Sequence, residues 1–347
     1  MAQPPYKILI VAPSWVGDMV MAQPLFIRLH QLHPGLQLDV LAPAWTLPLL
    51  ARMAEVHEAI ANPFGHGEFN LAARYQLGKT LHQRHYDQAI VLPNSWKSAL
   101  VPFFAGIPRR TGYRGEMRWG LLNDARKLDK ASLPLMVERF VALAERPGKP
   151  LPNPLPQPGL ATDEQQRLAT LARLGLQPQP RVAALCVGAE YGPAKRWPAA
   201  HFAALGKLLH AEGWQVWLVG SSKDAEAGAE AARLSTGACL DLCGRTSLNE
   251  AVDLLASASV IVSNDSGLMH VAAALDKPLV ALYGSSSPGF TPPLSHKACI
   301  LSLNLPCSPC FKRTCPLGHL DCLMKLTPQR VLEQISTAIH EENHGAG

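Results

Sequence analysis

Short, unbroken apolar runs recur along this chain, each trailed by a helical pattern, and one proline-rich stretch interrupts the rhythm. Residues 7–12 (Lys-Ile-Leu-Ile-Val-Ala) are the first such run. A run this short with no polar alternation suits a strand buried on both faces, which is the signature of a parallel sheet. A helical pattern covers 19–32, with Pro24 in its early part, and further strands are expected at 36–41 and 86–92, with a helix over 95–105. Six prolines then crowd residues 147–158, which excludes helix or inner strand and reads as a linker. Beyond it the alternation restarts. Strands are expected at 182–187, 214–219, 238–242, 260–263 and 279–283. Helices are expected at 199–212, from 223, at 248–256, from 267 and at 328–340, the last with a proline in its favourable first turn. Strands alternating with helices build doubly wound α/β domains. The expected organisation is therefore two Rossmann-like domains facing a central cleft. The first spans 1–155, the second 156–327 with a cysteine-rich loop at 307–322, and a helix and tail fill 328–347. Each domain should bind its ligand at the carboxyl ends of its strands.

Composition narrows the function. Hydrophobic residues are 48% and charged residues 17%, against about 25% charged in an average globular chain, so this chain is rich in core. The net charge of +5 excludes the uniform positive field of a dedicated nucleic-acid binder and leaves room for an acidic ligand. The excess sits in the first half, where residues 1–150 hold 17 basic and 11 acidic side chains and residues 151–347 hold 15 and 16. No signal peptide is expected from the polar, proline-bearing start, and no stretch approaches the roughly 20 apolar residues of a membrane span. A cytoplasmic protein with eight reduced cysteines is the expectation.

Five segments could carry chemistry. Ser14-Trp-Val-Gly-Asp18 follows the first strand and lacks a dinucleotide-binding glycine pattern. Asp18 there could project as a functional carboxylate or simply cap the next helix. The loop 188–198 sets Lys195 and Arg196 beside several backbone amides at a strand's mouth, which suits phosphate or a solvated basic turn. In Asn264-Asp-Ser-Gly267, a strand runs straight into a helix whose first amides can hold an anion. His270 lies one turn beyond Ser266, and Asp265 or Ser266 could also be a cap. Cys307, Cys310, Cys315 and Cys322 start as a Cys-x2-Cys knuckle and suit either a structural zinc ion or free thiols in a small loop. Finally, residues 97–130 carry a net +5 interleaved with Trp96, Tyr113 and Trp119, which suits an acidic carbohydrate, a nucleic acid or a solvated face.

Together these segments resemble the bacterial heptosyltransferases of lipopolysaccharide core synthesis, a branch of the GT-B glycosyltransferases. The carriers are Pro13-Ser-Trp-Val-Gly-Asp18, the segments 92–108 and 111–124, Gly192-Pro-Ala-Lys-Arg-Trp-Pro198, Asn264-Asp-Ser-Gly-Leu-Met-His270 with its continuation to 275, and Tyr283-Gly-Ser-Ser-Ser-Pro-Gly289 with its continuation to 293. The resemblance covers nearly the whole chain. It implies transfer of L-glycero-D-manno-heptose from ADP-heptose to the first heptose of the inner core, with inversion and with Asp18 as general base. It implies donor contacts from Lys195, Asp265, Ser266, Gly267 and His270, with Asp224 toward the ribose. Acceptor contacts are expected from Ser14, Lys97, Arg109, Arg110, Arg114 and Arg118. The acceptor would be an anionic, lipid-anchored oligosaccharide met at the cytoplasmic face of the inner membrane, with no nucleic-acid partner. No Asp-x-Asp pair is present to hold a catalytic metal, so no essential cofactor is expected. Mg²⁺ would at most stimulate by pairing with diphosphate, and zinc would be structural. The alternatives are transfer at another heptose step, an NAD-dependent nucleotide-sugar enzyme, and a nucleotide- or glycan-binding protein without activity.

Overall fold

In a computed structural model of the chain, residues 5–65 and 67–344 are described. The chain divides into two units, Met1–Pro158 and Gly159–Gly347. The division falls at the end of the proline-rich stretch.

The first unit holds strands β1 (Lys7–Val11), β2 (Gln37–Pro43), β3 (Glu58–Asn62), β4 (Gln88–Val91), β5 (Arg109–Tyr113) and β6 (Asp124–Arg126). The second holds β7 (Val182–Cys186), β8 (Gln215–Val219), β9 (Cys239–Asp241), β10 (Val260–Asn264), β11 (Leu279–Tyr283) and β12 (Ala298–Ser302). The first sheet runs β3-β2-β1-β4-β5-β6 and the second β12-β11-β10-β7-β8-β9. Read from its own first strand, the second has the same order as the first. All pairings are parallel. The apolar runs that marked the strands are the buried ones: Ile8, Leu9, Ile10, Leu185, Val260, Ile261, Val262, Leu279 and Val280 are all 0% exposed. Strands covered on both faces cannot alternate polar and apolar residues.

The strands that sequence patterning misses are edge or half-buried ones. β3 has no fully buried residue, and β5 and β6 begin with charged residues. β12, at the edge of the second sheet, is only partly covered. The basic stretch 97–130, read as a patch, thus contains two strands.

The C-terminal helix Pro328–His344 packs with the second unit, its Val331 and Ile335 joining that unit's core with Trp197, Phe202, Leu205 and Leu209. Among the described residues no helix is long and apolar enough to cross a membrane.

In each sheet, strand order reverses between two neighbours, β1 and β4 in one unit and β7 and β10 in the other. Crossovers leave these neighbours in opposite directions, so their carboxyl ends open a crevice that no connection covers. In the second unit the rim is fixed by Asn264, the last residue of β10, which is fully buried. Its Oδ1 accepts from the Trp197 amide at 2.9 Å, and its Nδ2 donates to the Val187 carbonyl at 2.9 Å. One carboxamide thus holds both ends of the loop between them. Asn264→Ala is expected to leave a buried amide and carbonyl unpaired and to cost about 2–4 kcal/mol; thermal unfolding of the purified variant measures it, and an unchanged transition would contradict the assignment.

Candidate active site

The second unit's crevice gathers most of the residues expected to bind a donor. After β7 the chain passes through Gly188, where a Cβ would lie 2.4 Å from Asp224 Oδ2, so only glycine fits. The loop then makes a 3-10 turn over Pro193–Lys195. Lys195 Nζ lies 2.5 Å from Asp265 Oδ2, with both side chains largely out of water. The same ammonium sits 5.1 Å from the Tyr191 ring centroid. Asp265 follows β10 directly and Ser266 opens the helix Gly267–Ala274.

The capping alternative for this segment is not what the structure adopts. No side chain caps the helix, and the Ser266 hydroxyl lies 3.3 Å from that of Ser263. The first-turn amides, with the partial positive charge of a helix start, are therefore left for an anion, close to a lysine. His270 is buried inside the same helix. Burial lowers its pKa to about 4; Asp265 opposes the shift and Lys195 adds to it. The imidazole is neutral at pH 7 and adds no charge beside the Lys195–Asp265 pair.

Asp224 ends the 3-10 turn after β8 and is 8% exposed. Its Oδ2 accepts from the Ser221 amide at 2.9 Å and the Ser221 hydroxyl at 2.7 Å, while Oδ1 lies 4.0 Å from Arg196. One oxygen is thus spent on holding the turn. Sequence reasoning missed Ser285 and Ser286, just past β11. Their hydroxyls are buried with no hydrogen-bond partner among the described residues. The only sequence signal was their place in the 283–293 segment.

In the first unit Asp18 is not in a loop and is not a cap. The helix starts at Val16, with Trp15 in the cap position and no side-chain cap, which puts Asp18 in its first turn. A carboxylate there is stabilised by the helix start. It is half-buried, Ser14 is exposed, and both lie at the carboxyl end of β1.

The expected acceptor residues are not one group. Lys97 follows β4 on the same edge as Asp18 and donates to the Gly67 carbonyl at 2.8 Å. Arg114 follows β5 on that edge and is exposed. Arg109 and Arg110 instead open β5, so they lie at the opposite edge, about 13 Å of strand away. Arg109 pairs with Asp124 at 3.1 Å and Arg110 donates to the Leu121 and Ile107 carbonyls. Arg118 is only 3% exposed. It donates to the Pro93 carbonyl at 2.7 Å, to Asn94 Oδ1 at 3.2 Å and to the Tyr113 carbonyl. It is a buried tie between the loops after β4 and β5, not a surface cation. Of the three aromatic residues, Tyr113 is buried and Trp119 is 73% exposed.

Among the described residues, one set of potential ligand atoms lies within 4.8 Å of one another: Asp39, His57 and Glu58. These carboxylates are already engaged. Tyr86 donates to Asp39 at 2.5 Å, His57 Nδ1 lies 2.9 Å from Asp39, and Arg84 pairs with Glu58. The four cysteines of the 307–322 loop are free thiols lining one small cavity.

Comparison with known proteins bears on this geometry. Residues 74–321 match glycosyltransferase family 9 (heptosyltransferase). The chain is 52% identical over 345 residues to lipopolysaccharide heptosyltransferase 2 of Escherichia coli K12, covering 97% of this chain and 99% of that one. It is 49% identical over 346 residues to lipooligosaccharide heptosyltransferase 2 of Haemophilus ducreyi, covering 95% and 98%. The solved structure of E. coli ADP-heptose LPS heptosyltransferase II superposes with a TM-score of 0.87 at 50% identity, covering 97% and 99%.

The depressed His270 pKa makes a signed prediction. The unfolded chain takes up this proton near pH 6.5 and the folded one only near 4. Stability from the neutral ring is therefore full above pH 6.5 and is lost as pH falls toward 4, by on the order of 3 kcal/mol. Urea unfolding at pH 7 and pH 4.5 should show a steeper acid loss for the wild type than for His270→Gln, and equal losses would contradict it.

Proposed function

The chain belongs to glycosyltransferase family 9, the heptosyltransferases, and from that premise we propose how its two units divide the reaction. It is a heptosyltransferase with a fold of GT-B type, and its relatives of about 50% identity assign heptose transfer to the lipopolysaccharide inner core. The finer reading is that it moves L-glycero-D-manno-heptose from ADP-heptose to the first heptose of that core, inverting the anomeric carbon.

The observation that carries this reading is the uncapped helix start at Gly267 beside Lys195. A diphosphate needs positive dipoles and a cation where charge grows as the sugar leaves. The amides after Ser266 and Gly267 supply the first and Lys195 the second. Asp265, which pairs with Lys195, is proposed to orient it and to meet the heptose or phosphates together with neutral His270. Asp224 would meet the ribose through Oδ1, the oxygen not engaged by Ser221.

In the first unit Asp18 would act as general base. An inverting transfer is a single displacement: the acceptor hydroxyl bonds to the anomeric carbon as the bond to the diphosphate oxygen breaks. The hydroxyl proton goes to the Asp18 carboxylate and ADP departs with the bonding electrons. Ser14, Lys97 and Arg114 share Asp18's sheet edge and are the proposed acceptor contacts, with Arg118 holding their loops. Arg109 and Arg110 face the other edge and are better suited to contacts outside the reacting centre. The acceptor is a lipid-anchored anion, so the enzyme would meet it at the inner membrane's cytoplasmic surface. No catalytic divalent metal is invoked.

Asp18→Asn is expected to bind ADP normally and to lose turnover by about 10²–10⁴-fold. Lys195→Ala is expected to weaken ADP binding. Incubation with ADP-heptose and an acceptor bearing one heptose, without added Mg²⁺, should add one heptose by product mass. Near-wild-type turnover of Asp18→Asn would remove the base assignment, and an acceptor lacking heptose reacting preferentially would move the enzyme to another step.

A further inference from the structure

We propose that Cys307, Cys310, Cys315 and Cys322 bind one soft divalent cation of the zinc class, and that this centre holds the Lys195 loop in position. All four cysteines line the same cavity, with His319, Ser285 and Ala194. Its volume of about 20 Å³ has room for a single ion or water and nothing larger. Thiolates at Cys-x2-Cys spacing suit a tetrahedral zinc site. Each ligating thiol would release its proton to solvent, with no change of oxidation state.

The loop's contacts give the centre its second role. Phe311, the residue after Cys310, donates its amide to the Ser285 carbonyl at 2.7 Å, and its own carbonyl accepts from the Tyr191 hydroxyl at 2.8 Å. The Arg313 carbonyl accepts from the Ala194 amide at 3.0 Å, next to Lys195. Gly192 is needed there, since a Cβ would lie 2.6 Å from the Arg313 oxygen. Ser308 donates to the Gly284 carbonyl. The cysteine loop thus buttresses the Lys195 loop on one side and the chain after β11 on the other. A short loop with exposed residues at 311–314 has little apolar burial of its own to fix it, and a four-thiolate centre would supply what packing does not.

The metal assignment is independent of the reaction; only the positioning role rests on the donor-side function proposed for Lys195. The test is metal content of the purified full-length protein, with thiol labelling. About one equivalent of zinc per chain is expected, lost in Cys310→Ser and Cys322→Ser, with the four thiols protected from labelling until a chelator is added. Less than a tenth of an equivalent after reconstitution with zinc chloride, or a mass lowered by two disulfides, would overturn the site. ADP affinity is then compared between zinc-loaded and stripped wild type. A loss of about tenfold or more on stripping, restored by zinc, supports positioning. Zinc binding with unchanged ADP affinity would overturn that half alone.

Discussion

A parallel sheet can leave only one kind of gap along its carboxyl edge, at the point where successive strands begin to be added in the opposite direction. Both sheets of this protein contain that reversal, between β1 and β4 and between β7 and β10. The residues at the centre of the proposed reaction lie at one of the two. Asp18 and Lys97 follow β1 and β4, and the Lys195 loop and the Asp265-Ser266-Gly267 turn follow β7 and β10. The repeat of one strand order in two units yields two crevices from one architecture. Their chemistry then differs through a few loop residues, a helix-turn carboxylate in the first and a cation with bare amides in the second.

The electrostatics of the second site follow from burial. Lys195 and Asp265 form a close pair that is mostly withdrawn from water. Such a pair gains little net stability, because desolvation offsets much of the attraction. Its value is that the lysine is held in one place where an anion would approach. Burial also empties His270 of its proton. A protonated ring would add a second positive charge next to the lysine, so the helix stays neutral apart from its dipole. On the proposed reading, an incoming anion would meet one oriented cation and one helix start.

What was legible in the sequence, and what was not, divides along a physical line. The central strands β1, β2, β4, β7, β8, β10 and β11 were read from apolar runs because burial on both faces permits little else, while central β5 opens with two arginines and was missed. The edge strands β3, β6 and β12 carry mixed residues, since one side of an edge strand faces water, and they left no pattern. The loops 188–198 and 264–267 were found because small residues and cations at the end of a strand have few structural uses. Asp18 was found but misplaced by one turn, because a carboxylate in a helix's first turn and one at its cap look alike in sequence. Arg109, Arg110 and Arg118 were read by counting charge. Counting cannot say which end of a strand a residue occupies, nor that a guanidinium in a basic run is buried with its donors engaged.

That last failure points to how the two sites are built. Functional loops have no ladder of their own, so their backbone polar groups must find partners elsewhere or face water. In the second unit Asn264 satisfies one amide and one carbonyl at the two ends of the loop after β7. In the first unit Arg118 satisfies the carbonyls of Pro93 and Tyr113 in the loops after β4 and β5. Each is a buried polar side chain that ties loop backbone at the carboxyl end of its sheet. Burying a guanidinium is costly, and its own Nε stays unpaired, so the arrangement is worth keeping only if loop position matters more than the desolvation lost. The basic excess of the first unit is therefore partly scaffold. On the proposed reading, Arg118 would serve the ligand by holding the loops after β4 and β5 in place.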